Sequence, residues 1–224
     1  MSKIGFSAAV LVTTAAIGVF SCFSAVSQPV TAPAKKISST ETAARSRDSA
    51  TQVYLVRGFL NVFSLGMDSL AAELRHAGIS ATVVSYNDWQ GVAEEIAANY
   101  KAGRRGPIVL VGHSFGADAV MFMADSLGQM GVPVALVIPF DGTYSHAASA
   151  NVARVLNIYK SEAKITPGPG FHGELTNYYV SDANITHTNI DDDSRLHMMA
   201  INKIRGARNL GSAAAAAAPK TPPG

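Results

Sequence analysis

Short apolar runs alternate with segments of helical periodicity from about residue 51 to residue 206, and few folds accommodate this pattern. The runs are rich in β-branched residues and nearly continuous, as in strands that are covered on both faces of a sheet. Alternation of such strands with helices is typical of a parallel sheet with crossover helices on both sides. The sequence therefore predicts a three-layer α/β domain whose mainly parallel sheet has about six strands.

The elements of this domain can be placed along the chain. The strands are predicted at Gln52–Val56, Ala81–Tyr86, Pro107–Val111, Val134–Pro139, Ala153–Ile158 and Thr176–Val180. The helices are predicted at Leu65–His76, Trp89–Ala102, Phe115–Leu127 and Asp192–Ile204. Asp88 and Asp191 precede the second and fourth helices, so their carboxylates are predicted N-caps. The other aspartates near helices are expected to be solvated or to interact with the helix dipole, and they are Asp118, Asp125, Asp192 and Asp193.

The two ends of the chain differ in composition from this domain. Residues 1–27 hold one basic residue, an uncharged apolar run and the small-residue site Ala25-Val26-Ser27, which predict a signal peptide and export to the periplasm or the medium. The run is also long enough for a retained membrane anchor, in which case the membrane is contacted through this segment alone. Residues 28–50 are expected to be a flexible linker, and residues 207–224, with an alanine run and final prolines, a disordered tail.

Charge and cysteine content exclude several classes of function. The formal net charge is +2, too small for the basic surface that nucleic-acid binding requires. The single cysteine, Cys22, lies in the leader, so the domain has neither a disulfide nor a cysteine metal cluster. The HExxH, CxxC and GxxxxGK[ST] motifs are absent. We therefore expect no metal and no cofactor, and a small-molecule or lipid-like substrate.

The strand predicted at Pro107–Val111 continues directly into Gly112-His113-Ser114-Phe115-Gly116, and a helical pattern follows at once. A serine on such a turn projects its hydroxyl above the sheet, while the flanking glycines let strand and helix approach closely. The N–H of Phe115 would lie at the helix N-terminus, where it can stabilise an oxyanion. The turn resembles the nucleophile elbow of the α/β-hydrolase family, and the resemblance extends over about residues 52–204. It implies that Ser114 is a nucleophile, followed along the chain by an acid and then a histidine.

Six histidines compete for the role of general base. His187 follows the last predicted strand by a short loop and precedes the final helix, which is where the resemblance places the base. His197 falls inside that helix, with apolar residues at helical spacing after it, and is expected to be a packed histidine. The remaining candidates are His76 and His113, which chain order disfavours, and His146 and His172, which could contact substrate.

The acid is predicted to be Asp141, which directly follows the strand after the elbow helix. Catalytic groups gather at the carboxyl edge of a parallel sheet, and a carboxylate there can fix the tautomer of the base. Glu162 follows the next strand and is the main alternative, because many members of the family take their acid from that position. Asp182 is a weaker alternative.

The remaining site residues are assigned by their places in the predicted loops. Gly58 permits a tight bend after the first strand, so the N–H of Phe59 or Leu60 is expected to be the second oxyanion donor. Four side chains are predicted to contact substrate, and they are Phe59, His113, Phe171 and His172.

The resemblance implies a serine hydrolase that cleaves carboxylic esters or thioesters through an acyl-enzyme. The place of Asp141 is similar to that of the acid in the thioesterase branch and in some lipases. The chain has no sizeable insertion between Asp141 and the next strand, so no large cap domain is expected, and an open site suits short acyl groups. Two alternatives stay open: an acyltransferase with the same triad, and an exported binding module that keeps the fold without the chemistry.

Overall fold

Six parallel strands form the central sheet in the computed structural model, which describes residues 49–59 and 65–217, and the backbone alone over 208–217. The strands of this sheet are β1 (Gln52–Arg57), β2 (Ser80–Ser85), β3 (Ile108–His113), β4 (Leu136–Phe140), β6 (Arg154–Tyr159) and β8 (Glu174–Tyr179). Their order is β2-β1-β3-β4-β6-β8, with every neighbouring pair parallel. This is the α/β fold class that the alternation predicts, and each predicted strand is present.

Two further strands were not predicted. They are β5 (His146–Ala148) and β7 (Ile165–Pro167), which pair in parallel as a separate two-stranded sheet. Each spans three residues, too short for an alternating or continuous apolar pattern to stand out from loop sequence.

Helices cover both faces of the six-stranded sheet. They are α1 (Leu65–His76), α2 (Trp89–Lys101), α3 (Phe115–Gln129) and α4 (Ser194–Ala217). One apolar cluster joins the sheet to α1 and α4, through residues such as Leu70 and Ile204, and a second joins it to α2 and α3, through residues such as Ile96 and Leu127. The domain is therefore built in three layers around two cores, one on each face of the sheet.

The two predicted N-caps have different outcomes. Asp88 occupies the N-cap position of α2, but it also ends the one-turn 3₁₀ helix Tyr86–Asp88, and its side chain makes no cap hydrogen bond. The prediction for Asp191 was wrong. Asp191 lies buried in a second 3₁₀ turn, Ile190–Asp192. The cap of α4 is Asp193, whose Oδ1 accepts hydrogen bonds from the N–H groups of Arg195 and Leu196 at 2.9 and 3.2 Å.

The last helix is longer than its predicted extent. The backbone of α4 stays helical through Ala217, into the alanine run that was expected to be a disordered tail. Alanine has the highest intrinsic helix propensity, so a run of alanines extends a helix that packing has already started. Among the described residues, no helix is both long and apolar enough to cross a membrane. The expected signal peptide and nearly all of the expected linker lie outside the described residues.

Candidate active site

Ser114 occupies a strained turn between β3 and α3. Its backbone has φ 56° and ψ −124°, a conformation that non-glycine residues rarely adopt. The flanking glycines permit this turn, because a Cβ on Gly112 would overlap the carbonyl of Gly116, and one on Gly116 would overlap the carbonyl of Val56. A strained serine between a central strand of a parallel sheet and the following helix has the geometry of a nucleophile elbow. The chain has an α/β-hydrolase fold.

In this fold, the structure brings together the three residues that the sequence singled out as nucleophile, base and acid. His187 Nε2 lies 2.9 Å from Ser114 Oγ, and His187 Nδ1 lies 2.8 Å from Asp141 Oδ2. The three residues come from the carboxyl ends of β3 and β4 and from the loop between β8 and α4. Ser114 is partly exposed and 47% of the His187 side chain is exposed, so solvent and small molecules can reach this chain of hydrogen bonds.

The side chain of Asp141 lies next to His187 and is stabilised in its ionised form. Its side chain is buried, and its Oδ1 accepts hydrogen bonds from the N–H groups of Lys160 and Ser161, both at 2.8 Å. Burial alone would raise the pKa of Asp141, but the hydrogen bonds from His187 and from these two N–H groups outweigh burial and lower it. The hydrogen bond to Asp141 in turn raises the pKa of His187 above 6.5.

The backbone of Asp141 is also unusual. Its φ is 46°, in the left-handed region, which aspartate tolerates better than most residues. The turn directs the carboxylate back between the ends of β4 and β6, where Lys160 and Ser161 follow the last residue of β6.

The alternative candidates for the acid and the base lie outside this chain of hydrogen bonds. The exposed Glu162 offers its backbone carbonyl to Ser145, and Asp182 pairs with Arg195 at 2.9 Å. His197 is buried, with its ring between the carbonyl of Asp191 and the carboxylate of Glu73, as expected for a packed histidine.

One of the predicted oxyanion donors can be placed. The Phe115 N–H belongs to the first residue of α3, where N–H groups have no partner within the helix. Phe59 follows β1 at the same edge of the sheet, and Leu60 lies outside the described residues.

Three aromatic side chains form a continuous surface beside Ser114, which we call the aromatic face: Phe59, Tyr86 and Phe115. They follow the ends of the adjacent strands β1, β2 and β3, and their ring centroids are 5.7 to 6.4 Å apart. Phe59 is 51% exposed and Phe115 is 37% exposed. The expected substrate contact of Phe59 is therefore compatible with its position, and Tyr86 was not singled out by the sequence reasoning.

Phe171 and His172 were wrongly predicted to contact substrate. They directly precede β8, which runs parallel to β6 and begins at Glu174, so they lie at the amino edge of the sheet. Ser114 lies at the opposite, carboxyl edge, about 17 Å away along a six-residue strand. The short strand β7 carries the chain back from the carboxyl edge before this loop, and its two-stranded pairing left no recognisable pattern in the sequence.

His113 and Asp118 also differ from expectation because both are buried. His113 is 1% exposed and bonds to the backbone of His187, so it does not face a substrate. Asp118 is not solvated: its carboxylate accepts hydrogen bonds from the N–H groups of Thr143 and Tyr144 and lies 2.8 Å from His146 Nε2. Asp118 thus fastens the loop that follows Asp141 onto α3.

Within the described residues, no group of three or more histidine, cysteine, aspartate or glutamate side chains is arranged to hold a metal ion.

Comparison with known proteins gives distant structural likenesses. No protein-family model and no curated protein matches the sequence. A putative hydrolase of the α/β superfamily from Xanthomonas campestris pv. campestris is 16% identical, with a TM-score of 0.42 over 72% of this chain and 98% of that chain. The NocB thioesterase domain from the nocardicin cluster is 15% identical, with a TM-score of 0.41 over 71% and 94%. An acetyl xylan esterase is 14% identical, with a TM-score of 0.43 over 71% and 99%.

Proposed function

We propose that this protein is a serine hydrolase that cleaves carboxylic esters or thioesters through an acyl-enzyme. The observation that carries the proposal is the hydrogen-bonded chain from Ser114 Oγ to His187 Nε2, 2.9 Å, and from His187 Nδ1 to Asp141 Oδ2, 2.8 Å. These contacts match the roles of nucleophile, general base and orienting acid in geometry and in chain order.

In the acylation step, Ser114 Oγ attacks the substrate carbonyl carbon while its proton passes to His187 Nε2. The Asp141 carboxylate stabilises the resulting imidazolium, because it already accepts from His187 Nδ1. The oxyanion forms near the N-terminus of α3, where the Phe115 N–H can donate to it. The imidazolium then protonates the leaving alcohol or thiol, and Ser114 keeps the acyl group.

In the deacylation step, water attacks the acyl-enzyme while His187 accepts one of its protons. His187 then returns this proton to Ser114 Oγ as the bond between Oγ and the acyl carbon breaks, and the carboxylic acid is released. The exposure of His187 supports hydrolysis, since water can reach the base. Loss of one oxyanion donor costs about a hundred- to a thousand-fold in turnover in comparable sites.

The proposal is tested by labelling with a fluorophosphonate probe, followed by location of the adduct by mass spectrometry. The adduct should form on Ser114, should vanish in Ser114→Ala and should be strongly reduced in His187→Ala. His197→Ala is the matched control, because His197 is a histidine outside the hydrogen-bonded chain. A folded protein that does not label would contradict the proposal and favour a binding module.

We further propose that the aromatic face binds the apolar part of the substrate, so that short esters with an aryl or branched acyl group are preferred. Phe115 and Phe59 are exposed and adjoin Ser114, and apolar rings of this size contribute strongly to the binding of apolar groups.

For this substrate preference, Phe59→Ala should raise KM for phenylacetate esters more than for acetate esters. Phe122→Ala is the control, because Phe122 is an equally exposed ring of α3 that contacts Trp89 and His146. If both substitutions had equal effects on KM for both esters, the proposal that the aromatic face binds substrate would be contradicted.

We also propose that the protein is exported after cleavage near Ser27. Intact-mass analysis of the protein from culture medium and periplasm should give a chain that begins at Gln28. A full-length chain in the membrane fraction would favour the retained anchor.

A further inference from the structure

His113 is the last residue of β3 and directly precedes Ser114 in the chain. Its side chain is buried, and its Nε2 lies 2.8 Å from the backbone carbonyl oxygen of His187, with 5.1 Å between the two ring centroids. A carbonyl oxygen can only accept, so Nε2 of His113 carries the proton and donates it to this bond. The residue beside the nucleophile is therefore bonded to the backbone of the base.

Asp191 lies on the other side of the His113 ring. It is completely buried, and its Oδ1 is 3.4 Å from His113 Nδ1. Neither of its carboxylate oxygens has a well-formed hydrogen bond within the part of the chain that the structure describes. Gly66 packs against it so closely that a Cβ there would overlap the Asp191 carbonyl. A buried carboxyl group without a well-formed hydrogen bond is disfavoured as an anion and favoured as a neutral acid.

The protonation states of His113 and Asp191 are complementary, because one has a lone pair to accept a hydrogen bond and the other has a proton to donate. Burial, followed by the nearby charge of Asp192, raises the pKa of Asp191 to about 7. Burial lowers the pKa of His113 to about 4. A neutral imidazole with its proton on Nε2 has a lone pair on Nδ1, and a protonated Asp191 is the group placed to donate to that lone pair.

We propose that His113 is a positioning residue for His187, and that Asp191 acts as a neutral acid that holds His113 in the tautomer with its proton on Nε2. The proposal rests on the proposed function, because it assigns to His113 the placement of the base relative to Ser114.

The position of His187 in the fold shows why such a support is needed. Its neighbours Thr186, Thr188 and Asn189 are exposed and bond mainly to one another, while the buried Ile185 and Ile190 anchor the loop at its two ends. The imidazole is held at Nδ1 by Asp141, and the His187 backbone is held at its carbonyl by His113.

Because His113 and Ser114 are consecutive residues of one rigid elbow, the bond from His113 ties the base to the element that carries the nucleophile. Loss of this bond would let the loop shift and lengthen the 2.9 Å contact between Nε2 and Ser114 Oγ.

The experiment compares the second-order rate of fluorophosphonate labelling in wild type, His113→Leu, His113→Gln and His113→Asn. The Gln amide nitrogen reaches about as far as Nε2 of histidine and can still donate to the His187 carbonyl, whereas the Asn amide reaches only as far as Nδ1. We expect His113→Leu and His113→Asn to label about 10- to 100-fold more slowly, and His113→Gln to retain most of the rate. With an ester substrate the loss should appear in kcat, with little change in KM.

Ile96→Ala is the control for loss of stability. Ile96 is buried in the core cluster that joins the sheet to α2 and α3, on the face of the sheet opposite to α1 and α4. It should lower the unfolding temperature without slowing the labelling. If His113→Leu does not fold, the comparison of His113→Gln with His113→Asn still tests whether the hydrogen bond to the His187 carbonyl is needed. Equal rates for Gln and Asn, or a wild-type rate for His113→Leu, would overturn the proposal.

A second readout does not depend on activity. Nitrogen-15 NMR of the histidine rings should show His113 neutral, with its proton on Nε2, between pH 5 and 6, where Asp191 is also neutral, and a proton on Nδ1 alone would overturn the proposal. A wild-type protein that shows this tautomer but does not label at Ser114 would instead refute the proposed function.

Discussion

The substitution Asp191→Asn should make the stability of the protein less sensitive to pH. The pKa of the Asp191 carboxyl is raised from 3.8 to about 7 by burial. A carboxyl group whose pKa is raised by folding stabilises the folded state fully below pH 3.8, and this contribution is lost as pH rises towards 7. Asparagine has nearly the same shape and cannot ionise, so the variant lacks this loss.

The size of the effect follows from linkage. A shift of one pKa unit corresponds to 1.36 kcal/mol, so ionisation of Asp191 lowers the free energy of unfolding of wild type by about 4 kcal/mol in all. About 2.5 kcal/mol of this decrease falls between pH 5 and pH 8. For a domain of this size, that difference corresponds to roughly 5–10 °C in Tm. His187 also titrates in this range, so the quantity of interest is the difference in unfolding free energy between variant and wild type at each pH.

The assay is urea unfolding at pH 5, 6, 7 and 8, followed by the fluorescence of Trp89, the only tryptophan. The difference in unfolding free energy between Asp191→Asn and wild type should grow in favour of the variant from pH 5 to pH 7 and then level off towards pH 8.

Asp193→Asn is the matched control. The hydrogen bond from Arg195 lowers the pKa of Asp193, so its contribution is complete above pH 5 and the difference from wild type should be constant. If Asp191→Asn also differed from wild type by a constant amount, Asp191 would not be a neutral acid and the reasoning would be refuted.

Other substitutions test the base and the elbow. Wild-type kcat/KM should rise with pH through a pKa above 6.5, because the hydrogen bond to Asp141 raises the pKa of His187, and the general base must be neutral. In Asp141→Asn the midpoint should move down and kcat should fall by about 10²- to 10⁴-fold, so an unmoved midpoint in a pH–rate profile would contradict the role of Asp141. Gly116→Ala should lower both Tm and the labelling rate, since its Cβ would overlap the carbonyl of Val56. Gly91→Ala in α2, where a Cβ meets nothing within 4 Å, should instead stabilise the protein by about 1 kcal/mol, and equal Tm changes for the two glycines would refute the steric argument.

Much of the fold follows from local pattern. The six sheet strands carry near-continuous apolar runs because both faces of the sheet are covered, and this signal does not depend on which strands are neighbours. The elbow is also a local object, since Gly112 and Gly116 are required by contacts within one strand, turn and helix and with the adjacent β1. The chain order implied by the resemblance, together with the ends of the strands, favoured Asp141 over Glu162 and Asp182 and His187 over His197, and the structure joins Asp141 and His187 to Ser114 in one chain of hydrogen bonds.

The sequence alone therefore determined the α/β architecture, the position of Ser114 and the residues placed around it. The tertiary structure decided what the other polar and aromatic side chains contact. Phe171 and His172 lie at the wrong edge of the sheet because β7 reverses the chain before them, and Tyr86 joins the aromatic face because β2 pairs with β1. His113 and Asp191 are far apart in sequence and become buried against each other only when α4 packs on the sheet. The physical reason is that periodicity reports which face of an element is covered, whereas the partner and the charge of a buried polar group depend on segments that are distant along the chain.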